Sequence, residues 1–270
     1  MSKGFFMTTF ASVPEAAGSK GSVWRSALFM AGMVSTTILF AILGVLTLPF
    51  SFRVRYGFIT RWTTFNLWWL KVSCKLRFKV EGREHIPVAP SIVLCKHQSA
   101  FETMALQRVF PPHVWLLKRE LLWLPFFGWG LAMLEPIAID RKAGRKALQQ
   151  LLEVGARRLA DGRWIVIFPE GTRVAPGQRG RYAPGGAILA VSCGCPVVPV
   201  AHNAGEFWPR RGFIKRPGTI RIVIGPVIDT RGHSAQEVNA LAEQWIEGCM
   251  ARISGAPVAE TGRLQSPGTD

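Results

Sequence analysis

The amino-acid sequence predicts an α/β fold. A mixed sheet is flanked by helices and preceded by an N-terminal membrane-anchoring helix and an interfacial amphipathic helix. Three observations carry this reading. Seven short apolar runs alternate with helix-like segments from residue 76 onward, the pattern of a layered α/β domain. Residues 26–52 contain no charged side chain. Three of the apolar runs end abruptly in polar and charged groups, at the strand ends where open α/β sheets place their ligands.

Size and composition agree with this picture. The 270 residues leave room for one domain of moderate size plus an appendage. Hydrophobic residues make up 49% of the chain, high for a soluble enzyme, so membrane association is expected. A net charge of +16 raises nucleic acid as a partner, yet no helix-turn-helix, zinc-finger or RNA-binding signature is present. The basic residues are interspersed with tryptophan and leucine. An anionic membrane leaflet or a phosphate-bearing substrate is the better match. The five cysteines are odd in number and lie in apolar runs, and Cys193-Gly194-Cys195 lacks a second pair. They read as reduced core residues, with no disulfide framework and no metal site.

Taken in order, residues 1–25 mix small and polar residues and are expected to be poorly ordered. Residues 27–50 are long enough to cross a hydrocarbon core of about 30 Å as a helix. That run is too long for a signal-peptide core, and no cleavage site follows it. Arg53, Arg55 and Arg61 bias its downstream side toward the cytoplasm, although the upstream flank is basic too. From 58 to 71 aromatic and aliphatic residues alternate with polar ones, which suits a helix lying at the headgroup level. Residues 1–75 thus read as a membrane anchor, 76–255 as the α/β domain, and 256–270, with Pro257, Gly262, Pro267 and Gly268, as a flexible tail.

Within the domain the expected strands are 76–80, 91–95, 114–117, 136–139, 164–168, 196–201 and 219–224. Leu148, Leu151, Leu152, Gly155 and Leu159 share one face of a helix and read as core packing.

The run 91–95 leads into Lys96-His97-Gln98-Ser99-Ala100-Phe101-Glu102, with a helix expected over 100–110. An imidazole can take a proton from a hydroxyl near neutral pH, and a carboxylate on its other nitrogen fixes the tautomer and stabilises the imidazolium. On one continuous helix, five positions would leave His97 and Glu102 roughly 140° apart, so a turn at Gln98 and Ser99 must intervene. The same spacing also fits a capping box of Ser99 with Glu102, a purely structural role. Two other runs end similarly, in Asp140-Arg141 and in Pro169-Glu170-Gly171-Thr172-Arg173.

Together these motifs carry a resemblance. His97 through Glu102 resembles the histidine-x4-aspartate/glutamate signature of the glycerolipid acyltransferases. Ile139-Asp140-Arg141 is similar to that family's second motif, Phe168 through Arg173 to its third, and Val198-Pro199-Val200 to its fourth. The likeness covers roughly residues 82–225 and is nearest to the bacterial branch that acylates 1-acylglycerol-3-phosphate. Glu102 stands where many relatives carry aspartate, and the family pattern admits both.

The resemblance implies that His97 is a general base and Glu102 its orienting partner, acting on an acyl thioester without an acyl-enzyme. No G-x-S-x-G elbow supports a serine hydrolase instead. It implies lysophosphatidic acid as acceptor and acyl-CoA or acyl carrier protein as donor. A thioester is already activated, so no metal or organic cofactor is expected. A guanidinium fork binds two phosphate oxygens at once, and the resemblance makes Arg173 the first choice for the acceptor's phosphate, with Lys118 and Arg141 next. Glu170 is expected either to fix the loop or to touch substrate, and Gly171, which lets the backbone approach closely, and Thr172 are expected to bind substrate. The expected place is the inner (cytoplasmic) membrane, with the catalytic domain facing the cytoplasm. Alternatives are another lysophospholipid or a lyso-ornithine lipid as acceptor, or a noncatalytic adaptor for anionic lipid. The aromatic stretch 118–129 reads equally as a surface dipping into the leaflet or as core packing.

Overall fold

The structure, a computed structural model, describes residues 20–255. The expected disorder of 1–19 and of the tail 256–270 lies outside the described residues. Two long helices come first, α1 (Val23–Val45) and α2 (Phe52–Cys74). Next come β1 (Leu76–Glu81), β2 (Ile92–Cys95), α3 (Phe101–Val109), β3 (His113–Lys118), α4 (Phe127–Met133), β4 (Ile137–Ile139) and α5 (Arg145–Ala160). The chain then forms β5 (Trp164–Ile167), α6 (Gly185–Cys193), β6 (Val197–His202), the single turn α7 (Ala204–Phe207), β7 (Gly218–Ile224) and α8 (Ala235–Ile253).

The seven strands form one mixed sheet in the order β1-β7-β6-β2-β5-β3-β4, parallel throughout except for the antiparallel β6–β7 pair. Every central strand is buried on both faces, which explains why these strands read as continuous apolar runs. Alternate residues feed two cores. Val93 and Cys95 of β2 face the side covered by α1, α2 and α3, while Ile92 and Leu94 face the side covered by α5, α6 and α8.

The N-terminal helices differ in extent from their sequence-based limits. The apolar run assigned to 27–50 divides into α1, ending at Val45, and a turn over 46–50. Pro49 cannot continue a helix, and because Leu46, Leu48 and Phe50 keep the turn apolar, composition does not mark the boundary. Residues 23–25, expected to be disordered, form the first turn of α1 beneath a Ser22 cap. The stretch 58–71 is the inner part of a longer helix, α2.

The two helices run antiparallel, with Trp69 Nε1 donating to the Leu28 carbonyl (3.3 Å) and Asn66 Nδ2 to Thr36 Oγ1 (3.1 Å). Gly32 lets the Trp69 ring pack against α1, since a Cβ there would lie 2.3 Å from Trp69 Nε1. Phe29 of α1 is fully buried against Trp208, and Leu67, Leu70 and Cys74 of α2 join the same core as the sheet. The opposite side of α1, with Val34, Ile38, Leu39 and Ile42, is exposed. By length and composition α1 is able to cross a membrane.

Candidate active site

β2 lies between β5 and β6 at the centre of the sheet, and its carboxyl end delivers Lys96 and His97. Residues 96–99 are non-helical and α3 begins at Phe101, so the turn demanded by the His97–Glu102 spacing is present. It swings the Glu102 carboxylate under the imidazole, with Nδ1 and Oε1 2.8 Å apart. A carboxylate can only accept, so Nδ1 carries the proton and Nε2 is left as the basic nitrogen. The His97 ring stacks on Phe168 (centroids 4.0 Å, 12°), which stacks on Trp115 (5.6 Å, 15°).

Glu102 also accepts the Gln98 and Ser99 amides on the same oxygen, at 2.9 and 2.8 Å. The Ser99 hydroxyl accepts from the Phe101 amide (3.2 Å) instead of from the Glu102 amide, so the full capping box is not formed. Its glutamate half and the histidine contact coexist on one atom. Burial opposes ionisation of the fully buried Glu102, but the hydrogen bonds from His97 and the Ser99 amide favour the carboxylate, and the carboxyl is held below its usual range. His202 itself is pushed toward the neutral form by burial. Its Nδ1 accepts from the Ala204 amide (3.2 Å) while Nε2 donates to the Lys96 carbonyl (2.8 Å).

A cavity of ≈ 220 Å³ opens from His97. Phe40 and Ala41 of α1, Ile59 and Trp62 of α2, Met104 and Leu131 form its apolar wall, and Lys118, Arg141 and Arg173 stand along its polar margin. The motifs at three strand ends therefore share one space. Such a space can hold an acyl chain along one wall and an anionic group at the other end, with an ester-forming hydroxyl between them at the imidazole.

Of the other residues singled out in the sequence, Glu170, Gly171 and Thr172 lie outside the cavity lining. Glu170 is buried beneath the loop, where Oε1 accepts from Lys96 Nζ (2.7 Å) and the Gly180 amide (3.1 Å), and Oε2 from the His97 amide (3.0 Å). Of the two expectations for Glu170, fixing the loop is the one its position matches. Gly171 adopts φ +65° and its carbonyl accepts from Arg141, while Thr172 is exposed and outside the cavity lining. Lys118 pairs with Glu120 at 3.2 Å and keeps nearly half its side chain exposed. In the stretch 118–129, Trp123, Leu124 and Trp129 are exposed, which rules out core packing for those three, whereas Leu121, Phe126 and Phe127 line the cavity.

Lys96 and the aromatic stack were not singled out in the sequence. A lysine directly after a wholly buried strand is the signal that could have found Lys96, because a cation there must meet buried acceptors. Among the described residues no group of three or more His, Cys, Asp or Glu side chains is placed to hold a metal ion.

Comparison with known proteins follows the same lines. The Acyltransferase family model matches residues 77–203. The chain is 45% identical over 235 residues to the 1-acyl-sn-glycerol-3-phosphate acyltransferase of Pseudomonas aeruginosa, covering 85% of this chain and 91% of that protein. It is 31% identical over 178 residues to the sheep 1-acyl-sn-glycerol-3-phosphate acyltransferase alpha, covering 65% of this chain and 62% of that protein. The fold is that of the crystal structure of the 1-acyl-sn-glycerophosphate (LPA) acyltransferase PlsC from Thermotoga maritima, with a TM-score of 0.72 at 21% identity, over 87% of this chain and 96% of that one.

Proposed function

The chain belongs to the 1-acyl-sn-glycerol-3-phosphate acyltransferase family, and from that premise we propose that it acylates the sn-2 hydroxyl of lysophosphatidic acid to form phosphatidic acid, with His97 as general base. One observation carries the assignment of roles. A single cavity joins the Glu102-oriented imidazole to Lys118, Arg141 and Arg173.

The acceptor's phosphate is held by the cationic margin, which brings its free hydroxyl to His97 Nε2. The base takes the hydroxyl proton as the oxygen attacks the thioester carbonyl. The tetrahedral intermediate expels the thiolate, and the imidazolium returns the proton to that sulfur. Glu102 keeps Nδ1 protonated and stabilises the transient imidazolium. The donor is an acyl thioester of coenzyme A or acyl carrier protein, and the chemistry needs no further cofactor. Bringing hydroxyl and thioester together supplies several kcal/mol of the barrier reduction, and a positioned base about 10²–10⁴-fold more.

The exposed apolar side of α1 and the exposed Trp123 and Trp129, in a chain of net charge +16, support attachment to an anionic leaflet. We place the enzyme at the inner (cytoplasmic) membrane with the catalytic domain on the cytoplasmic side.

The acceptor is tested by comparing lysophosphatidic acid with a lyso-ornithine lipid, read by lipid mass spectrometry. Arg173→Ala should raise the KM for lysophosphatidic acid while leaving the thioester KM nearly unchanged. An equal effect on both substrates, or faster turnover of the phosphate-free acceptor by the wild type, contradicts the assignment.

A further inference from the structure

Behind His97 lies a charged cluster of Lys96, Glu170 and Glu247, none of which lines the cavity. Lys96 is 1% exposed, and its three ammonium donors are all used, on Glu170 Oε1 (2.7 Å), Glu247 Oε1 (2.8 Å) and the Gln178 carbonyl (3.2 Å). Glu247 comes from α8 and also accepts from the Tyr182 hydroxyl (2.8 Å). Stability alone does not explain such a cluster, since a buried ion pair gains little or nothing over well-packed apolar side chains of similar volume. What the cluster does provide is a fixed geometry.

The geometry is that of the peptide carrying the base. Lys96 N donates to the Val200 carbonyl (3.0 Å), and the Lys96 carbonyl accepts from His202 Nε2 (2.8 Å). The His97 amide donates to Glu170 Oε2 (3.0 Å), the second oxygen of the carboxylate that Lys96 holds. The His97 carbonyl accepts from the Val174 amide at 2.8 Å, which ties the base to the loop carrying Arg173. Glu170 is thus a bridge with the Lys96 ammonium on one oxygen and the backbone of the base on the other. A shift of the ammonium is passed to the imidazole through that bridge.

We propose that Lys96 is a positioning residue for the general base, and that Glu247 of α8 is the partner that holds it in place. The proposal rests on the reading of His97 as base. A misplacement of about 1 Å in a catalytic group can cost on the order of 10²-fold in rate. The cluster therefore acts on kcat and leaves both substrate sites intact.

The test measures kcat and both KM values of the full-length protein in detergent, with thermal unfolding in parallel, for Lys96→Met, Glu247→Ala, Glu247→Gln, Glu243→Gln and His97→Ala. Lys96→Met should lower kcat by roughly 10- to 100-fold with both KM values within about twofold of wild type. Glu247→Ala should show the same pattern more weakly, and it decides the matter if Lys96→Met fails to fold, because it leaves the Lys96–Glu170 pair intact. Glu247→Gln should recover most of kcat, since its amide oxygen can still accept from Lys96 and Tyr182. Glu243→Gln, which removes the charge only from the Arg179–Glu243 surface pair on the same helix, should behave as wild type. A lowered melting temperature with unchanged kcat, or a raised acceptor KM without loss of kcat, overturns the proposal. Full activity in His97→Ala would instead overturn the reading beneath it.

Discussion

Glu102 shows how two roles read as alternatives in the sequence can occupy one atom. Its Oε1 caps the turn through the Gln98 and Ser99 amides and orients His97 at the same time. The residues of the site were legible because each motif pairs a strand end with a chemically expensive side chain. Glu170 was legible as a position but open as a role, since spacing along the chain does not say whether a carboxylate faces substrate or the backbone beneath it. Lys96 was missed for a related reason: its partner Glu247 lies 151 residues away. His97→Ala should abolish transfer, by about 10²–10⁴-fold, while membrane extraction and thermal unfolding stay close to wild type. Retention of more than about a tenth of the rate, in an initial-rate assay at equal folded protein, would remove His97 from the chemistry.

At the level of elements, the apolar runs place all seven strands to within one residue of their observed ends. Strands buried on both faces have no competing pattern. Helix limits were harder, because a turn built from Leu46, Leu48 and Phe50 is as apolar as the helix before it. The amphipathic α8 is not among the helices expected above, although Val238, Ala242, Ile246 and Cys249, buried at helical spacing, and a full capping box between Ser234 and Glu237 are signals that stand in the sequence. The exposed apolar side of α1 leads to a direct expectation. The protein should remain with membranes through alkaline carbonate and high salt and should leave only with detergent. Release by salt alone would mean that charge, and not α1, holds it there.

Across the whole molecule, the helical hairpin, the sheet and the site are one packed unit, and its stability should depend on pH through buried imidazoles. Burial lowers His113 to about 4, and it lowers His202 in the same direction. Each ring is neutral when folded and protonates on unfolding, so the unfolded state binds more protons as pH falls below about 6.5. Stability is therefore full above that value and is lost as pH drops toward 4, with His113 contributing roughly 3 kcal/mol. The denaturation midpoint in detergent should fall between pH 7 and pH 4.5, and less steeply in His113→Gln; equal slopes would contradict this. The central claim is that the fold sets a Glu102-oriented base beside a phosphate-binding margin. Its most direct test is the initial rate of phosphatidic acid formation from lysophosphatidic acid and an acyl thioester by wild type and Glu102→Gln, with Ser99→Ala as control. The glutamine can still accept the turn's amides but carries no charge for the imidazolium. The account predicts a stable Glu102→Gln protein slower by orders of magnitude and an active Ser99→Ala protein; a Glu102→Gln rate near wild type would contradict it.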